Sequence, residues 1–316
     1  MTKKEGLSMK KNIFAFILLT GVLCSSNCFA ADIEIGDYLQ MGSYYQEDIL
    51  WRCVSEDENG PLIMSDQILT LKAFDAKGEH ENDYRSYRKN YGSNLWENSN
   101  LRSWLNSDAA AGEVIWQCGN PPANSAVWCG YNEYDDEAGF LNGFTDTQKS
   151  AIKEVTQKQL LGTRDALGGG MAEFGSENHL SYACGIDVVL KNYDKAYAYN
   201  LNDKVFVADI KQISDVYNNS EILGDGYYIG TLSESCVENS EYKYSIQPDA
   251  AWHSWLRTPY GVTANSETVR LVWSNGTIER TAANTSYIGV RPAFYLDDDA
   301  VFDGGSGTED APFVIE

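Results

Sequence analysis

Histidine is scarce in this chain, three residues in 316, and the cysteines include no Cys-x-x-Cys pair. The first shortage leaves little from which to build a hydrolytic metal centre. The second removes support for a redox dithiol or a zinc knuckle. Cations are outnumbered as well: 24 Lys and Arg face 46 Asp and Glu, for a formal charge of −22. A field of that sign repels nucleic acid and anionic membrane surfaces. Beyond residue 30 no run is long and apolar enough to cross a bilayer, and no repeat, coiled coil or low-complexity tract occurs. Aromatic side chains, by contrast, are plentiful, with 20 Tyr and 8 Trp. An apolar fraction of 43% is ample for a packed core and excludes global disorder. Aromatic-rich and histidine-poor composition points to a β-rich secreted protein.

The first thirty residues read as a secretory signal. Lys10-Lys11 supplies a positive start, and Ile13 to Leu23 is an apolar run too short to span a bilayer. Cys28-Phe29-Ala30 then precedes Ala31-Asp32 in a small-x-small cleavage pattern. Neither Cys24, after Leu23, nor Cys28, after Asn27, has before it the small residue that lipid attachment needs. Residues 31–316 are expected to form a single exported domain (periplasmic, on the cell surface or secreted) with no membrane insertion after cleavage. Cleavage removes four lysines and one glutamate and leaves a charge of −25. Five cysteines remain in a compartment that favours disulfides. Cys118 and Cys129 bracket Gly119-Asn120-Pro121-Pro122 and are expected to pair. Cys184 with Cys236 is the next candidate pair. Cys53 shares a predicted strand face with Ile49 and Trp51 and reads as a buried thiol.

Spacing predicts a β meander over residues 33–71, with an Asn-Gly turn at Asn59-Gly60 and a break at Ser65-Asp66. Leu101, Trp104 and Leu105 fall on one helical face behind a Ser99 cap. Thr145 with Gln148 forms a capping box, from which a helix is predicted to run to about Leu161. Val205-Phe206-Val207 reads as a short buried strand, and Asp209 with Gln212 caps a helix through Ile210, Ile213 and Val216. Gly168-Gly169-Gly170 lacks the strand-before, helix-after context of a phosphate loop.

The stretch from Trp252 to Leu296 organises the rest. Three strands are predicted in it. The middle one puts Val269, Leu271 and Trp273 on one side and ends in a Ser-Asn-Gly turn. In the last, Pro292 cannot donate to a ladder and suggests an edge or a bulge. Arg257 and Arg291 interrupt apolar runs. Cations placed so are expected to donate to buried carboxylates or carbonyls and to be structural, with Trp51, Trp104, Trp255 and Trp273 as core anchors.

Several motifs occur in a characteristic order: Ile35-Gly36-Asp37-Tyr38, Ile49-Leu50-Trp51-Arg52, Leu101-Arg102-Ser103-Trp104-Leu105-Asn106, Trp255-Leu256-Arg257, Gly289-Val290-Arg291-Pro292-Ala293, and Gly307-Thr308-Glu309-Asp310-Ala311-Pro312-Phe313-Val314-Ile315. On these the chain resembles a bacterial family, the domain of unknown function numbered 6273, apart from insertions at about 107–143 and 162–200. The Trp-Leu-Arg, hairpin, Gly-Val-Arg-Pro ending is similar to the C-terminal half of C-type-lectin-like domains. The resemblance implies an α+β fold, mainly antiparallel, with a few short helices and long loops. Relatives of that fold include surface adhesins and formylglycine-generating enzymes. The latter activity needs a cysteine pair near the C-terminal strands, and the last cysteine here is Cys236, upstream of them.

No Gly-x-Ser-x-Gly elbow accompanies the histidines, so the sequence leans against an enzyme without settling the question. Trp252, His253 and Tyr260 are the candidate ligand contacts, for a glycan or a protein. The alternatives are an exported enzyme of unknown reaction and an envelope protein with no small ligand. Asp297-Asp298-Asp299 and Asp303 form an oxygen-rich loop of the kind that binds calcium, although the spacing is not that of an EF-hand and a solvated acidic turn is the plainer reading. If residues 1–30 are a cleaved signal, intact-mass analysis of the exported protein returns a chain beginning at Ala31. A chain retaining Met1 or Met9 overturns that reading.

Overall fold

The computed structural model describes residues 33–78, 86–116, 121–129, 134–178, 184–261 and 266–316. The predicted signal segment and cleavage site lie outside the described residues, as do Cys118, His80 and His179.

A meander opens the chain: β1 (Tyr38–Tyr44), β2 (Glu47–Asp57) and β3 (Gly60–Ser65), with the two-residue β4 (Thr70–Leu71) after the break. Helices α1 (Ser86–Tyr91) and α2 (Asn100–Leu105) come next. Further on, α3 (Asp146–Ser150) leads into β5 (Ile152–Lys153) and β6 (Val155–Leu160). Then come α4 (Ile186–Leu190), β7 (Ala198–Asp203), β8 (Phe206–Val207), α5 (Ile210–Asn218), α6 (Ser220–Leu223) and α7 (Glu234–Glu238). The final part holds β9 (Ser254–Pro259), β10 (Thr268–Val272), β11 (Ile278–Ala282), β12 (Gly289–Val290), β13 (Pro292–Leu296) and β14 (Phe313–Val314). The result is mixed and sheet-rich, with short helices.

Two sheets carry most strands. One has seven, ordered β14-β1-β2-β3-β13-β5, with β8 also paired to β13. The other has five, ordered β11-β10-β9-β12-β4. Strands β6 and β7 pair as a separate two-stranded sheet. Pairing is antiparallel except for β1 with β14 and β9 with β12.

Caps behave as their residue types dictate. Ser99 accepts from Arg102 N at the start of α2, and Asp209 and Gln212 complete a capping box on α5. The box at Thr145 and Gln148 is also formed, yet α3 stops at Ser150, far short of the predicted Leu161. The reason is burial with period two: Val155, Gln157 and Gln159 face inward on β6 while antiparallel pairing with β7 supplies the backbone partners. Two buried glutamines disguised that alternation as a polar helix face.

Tryptophans anchor the core. Trp51, fully buried on β2, donates to Met41 O at 2.8 Å and meets Phe294 edge-on at 4.9 Å. Trp104 packs on Phe140 at 5.3 Å and donates to Ala138 O. Trp255 packs on Phe74 at 5.7 Å and donates to Lys72 O.

The chain passes from the five-stranded to the seven-stranded sheet between Val290 and Pro292. This corrects the edge expected at Pro292: β13 has β3 on one side and β5 and β8 on the other. Proline is tolerated because it is the first residue of the strand. At the crossing Arg291, 4% exposed, donates to Ser65 O at 2.9 Å, Asp66 O at 2.9 Å and Tyr227 O at 2.8 Å, with its guanidinium over the Tyr227 ring. Arg257, 3% exposed, donates to Val207 O, Gln212 Oε1 and Gln157 Oε1 and lies 3.4 Å from Asp209. Both cations therefore hold strand ends and turns together from inside.

The predicted Cys118–Cys129 pair falls partly outside the described residues, since Cys118 does; among the described residues Cys129 has no disulfide partner. Its backbone sits at φ 69°, at the end of a segment tied to residues 284–286 through Trp128, whose N–H donates to Asn284 O. Cys236 is also a free, buried thiol, so it does not pair with Cys184. Cys53 is buried, and burial pushes its thiol up to about 12.

Replacing Arg291 by alanine leaves three carbonyls without their donor, so unfolding stability is expected to fall by about 2–4 kcal/mol. Urea denaturation measures this, and a change below about 0.5 kcal/mol, typical of a surface substitution, contradicts the structural role.

Candidate functional site

Strand register assembles an aromatic cluster at one end of the five-stranded sheet. Val272 on β10 pairs with Ser254 on β9, so the next residues outward, Trp273 and His253, are cross-strand neighbours. Their rings stack with centroids 4.6 Å apart and planes 12° apart. Trp252 covers the other side of the imidazole at 4.4 Å and 28°. On β12, Gly289 N donates to His253 O at 2.9 Å, which brings Tyr287, two residues earlier, edge-on to the imidazole at 5.4 Å. That backbone approach requires glycine, because a Cβ at 289 would meet Ile68 at 2.8 Å and His253 O at 2.9 Å. The turn after Trp273 closes through Gly276 at φ 84°, with Asn275 Oδ1 accepting from Thr277 N.

Tyr287 is the hub of the cluster. Besides His253 it meets Trp128 at 6.0 Å and Tyr242 at 6.2 Å, and its carbonyl accepts from Trp252 Nε1 at 2.9 Å. Burial and the neighbouring Cys129 raise its phenol above the ordinary value. Trp128 is 55% exposed, while Trp252, Trp273 and Tyr287 are partly so. The segment carrying Trp128 is fastened by Ser286, whose Oγ donates to Trp128 O at 2.8 Å and lies 3.1 Å from the Tyr242 hydroxyl.

His253 sits inside this stack at 6% exposure, and among the described residues neither ring nitrogen has a hydrogen-bond partner. Burial disfavours the charged form and lowers its pKa from 6.5 to about 4. At neutral pH the imidazole is thus an uncharged flat ring between two indoles, a spacer that holds them apart and parallel.

No curated protein and no solved structure matches this chain. The profile of one family, a domain of unknown function, DUF6273, matches residues 58–298. The chain belongs to the DUF6273 family. Its matched region contains the whole aromatic cluster.

Within this DUF6273 chain, Trp252 and His253 come together as neighbours, and the structure adds Trp128, Trp273, Tyr242 and Tyr287 to them. Tyr260 does not join them. It is 1% exposed, and its ring lies under the guanidinium groups of Arg270 and Arg280, cross-strand partners on β10 and β11. Burial lowers the Arg270 pKa to about 10. No short-range spacing links Trp128, beside Cys129, to Tyr287, which lies ahead of the Gly289-Val290-Arg291-Pro292 segment. Their spatial meeting depends on a parallel bridge between Trp128 and Thr285.

A second constellation surrounds Lys72, a lysine inside the apolar run Leu71-Lys72-Ala73-Phe74. Its Nζ is 4.3 Å from the Tyr134 ring centroid and 4.8 Å from that of Trp104. It donates to both oxygens of Glu137 at 2.9 and 3.1 Å, and Glu137 also accepts from the Tyr44 hydroxyl at 3.1 Å. Burial and Glu137 raise the Tyr44 phenol well above its usual value. With its carboxylate and ring faces in place, Lys72 ties the segment around Tyr134–Glu137 to the end of β4. A lysine breaking an apolar run was the sequence signal for it.

In the acidic loop, Asp297 Oδ1 accepts from Asp299 N and Asp303 Oδ2 from Glu316 N. Among the described residues no group of three or more His, Cys, Asp or Glu is placed to hold a metal ion. Asn284, in an Asn-Thr-Ser sequence, is 5% exposed.

The His253 stack carries a pH signature. The folded protein keeps the ring neutral down to about pH 4, whereas the unfolded chain takes up the proton near 6.5. Its stabilising contribution is complete above about pH 6.5 and is lost as the pH falls towards 4, an expected loss of roughly 3 kcal/mol. His253→Phe keeps a flat ring and forfeits no hydrogen bond. The stability difference between the wild type and His253→Phe should therefore shift by that amount across the window. Parallel stability curves from pH 7 to 4 would show that the imidazole is solvated.

Proposed function

We propose that this protein is an exported bacterial binding module of lectin-like architecture, which recognises a glycan on the aromatic surface formed by Trp128, Trp252, Trp273 and Tyr287. The carrying observation is the half-exposed Trp128 indole beside Tyr287, continuous with the Trp252–His253–Trp273 stack. A sugar ring presents a face of C–H bonds that packs flat on an indole while its hydroxyls stay in water, and Trp and Tyr suit a boundary that is apolar on one side and wet on the other. The supporting scaffold is rigid. The rings are set by strand register, by a tight hairpin and by hydrogen bonds from Trp252 Nε1 and Ser286 Oγ, so little ordering is needed on binding.

Other features fit the same reading. Trp128 is 55% exposed, so the cluster offers an aromatic platform at the surface; grooves of about 620 and 700 Å3 lie elsewhere, one beside α2 and β7 and one beside the β2–β3 turn. A platform suits an extended polymer. Export through residues 1–30 would deliver the module to the compartment where such polymers are found. The ordered Trp-Leu-Arg and Gly-Val-Arg-Pro segments, which resemble C-type-lectin-like domains, form β9 and the β12–β13 crossing that position the rings.

The test is a glycan array probed with residues 31–316, with calcium and again with chelator, followed by titration of any retained glycan monitored through tryptophan fluorescence. Binding that survives the chelator and weakens at least tenfold in Trp128→Ala is expected, since anchoring aromatics dominate such contacts. Binding abolished by the chelator would move the site to the Asp297–Asp303 loop. No retained glycan in either condition overturns the proposal in favour of a protein partner or a structural role.

A further inference from the structure

A separate groove of about 700 Å3 runs between the first described turn, the β2–β3 hairpin and the end of β13. Its floor is apolar, built from Ile33, Ile35, Pro61, Ile222, Leu296 and Ala300. Leu296 closes the bottom at 4% exposure, while Ile222 at the end of α6 stands 55% exposed. This wall is well supported. Arg52 on β2 donates to Leu223 O at 3.0 Å and Ile222 O at 3.4 Å, and Gly36 packs so near that a Cβ there would meet Ile222 Cγ2 at 2.9 Å.

Four carboxylates rim the groove: Glu34, Glu56, Asp297 and Asp298. Lys153 reaches Asp298 at 3.1 Å. For Glu34, Glu56 and Asp297 the described residues supply no cationic partner. Three unneutralised acids around an apolar trough are unfavourable neighbours in a chain already at −22. Each would be relieved by a positive charge brought from outside.

We infer that this groove docks a cationic amphipathic segment of a partner polypeptide, with apolar side chains on the Ile222–Leu296 floor and Lys or Arg side chains on the rim. Charge complementarity decides the occupant. An anionic polymer or anionic lipid surface is repelled by the rim, and an uncharged saccharide brings no positive charge to offset the three acids. The acidic field accelerates encounter and sets orientation, and the apolar floor supplies the part of affinity that salt does not screen. This site is independent of the aromatic platform, which lies at the end of the other sheet.

Fluorescence anisotropy tests it, using residues 31–316 and short fluorescein-labelled probes of alternating Lys and Leu or alternating Glu and Leu. The Lys/Leu probe should bind, with affinity reduced but not abolished at high salt, and the Glu/Leu probe should not. Glu34→Gln/Glu56→Gln/Asp297→Asn should weaken Lys/Leu binding about tenfold, and Ile222→Ser, a change at an exposed side chain, by a similar factor. A control neutralising the distant exposed acids Asp187, Glu238 and Glu241 should leave it within twofold. Thermal melts establish that each variant is folded. The inference fails if the Lys/Leu probe does not bind. It fails equally if the rim and Ile222 variants bind as the wild type does, or if the distant control weakens binding as much as the rim variant.

Discussion

A guanidinium placed where water cannot reach must be met by acceptors on every side, and at Arg291 that requirement fastens the two sheets to each other. The chain leaves one sheet at Val290 and enters the other at Pro292. The single residue between them gathers three carbonyls, from the end of β3, from Asp66 and from the Tyr227 turn. Those carbonyls belong to segments far from Arg291 in sequence, the nearest of them 64 residues away. The two sheets are thus joined by donors on one side chain as well as by apolar packing. Arg257 serves the second junction in the same manner, linking β8, the start of α5 and β6 through Val207, Gln212 and Gln157.

The aromatic surface depends on these junctions. Tyr287 reaches His253 only because β12 runs parallel to β9 at Gly289, and β12 is the strand that Arg291 terminates. Trp273 reaches His253 only through the β9–β10 register. His253 and Trp273 are therefore placed by the strands they flank, and the segment carrying Trp128 is fastened by its bridge to Thr285 and the Ser286 hydroxyl, which is what a stacking site needs if ligand binding is not to spend free energy on ordering the protein. The unpartnered imidazole is consistent with this. A neutral ring between two indoles tolerates that burial better than a charged one would.

Acidity is distributed unevenly in its consequences. Buried cations (Lys72, Arg88, Arg257) take carboxylates as partners within hydrogen-bonding or ion-pair distance. The excess carboxylates stay at the surface, where solvent screens them, except where they border an apolar trough beside the β2–β3 turn. The same composition that repels nucleic acid creates there a local preference for a positive partner.

Local signals in the sequence determined local structure. The meander of residues 33–71, the caps at Ser99, Thr145 and Asp209, the turn at Asn275-Gly276 and the burial of Trp51, Trp104, Trp255, Arg257 and Arg291 all derive from residue type and short-range spacing. Family membership was also legible, because ordered motifs survive without any knowledge of their contacts. Tertiary structure alone decided the rest. Gln157 and Gln159 became buried strand residues because β7 was there to pair with, and Pro292 became the start of an interior strand because β8 met it. Tyr260 was drawn under two arginines. Trp128 and Tyr287, distant in sequence, became neighbours through one bridge and a serine hydroxyl. The physical reason is common to all of these: a side chain's partners across a sheet are set by strand order and register, and neither is encoded within the window over which hydrophobic period and capping can be read.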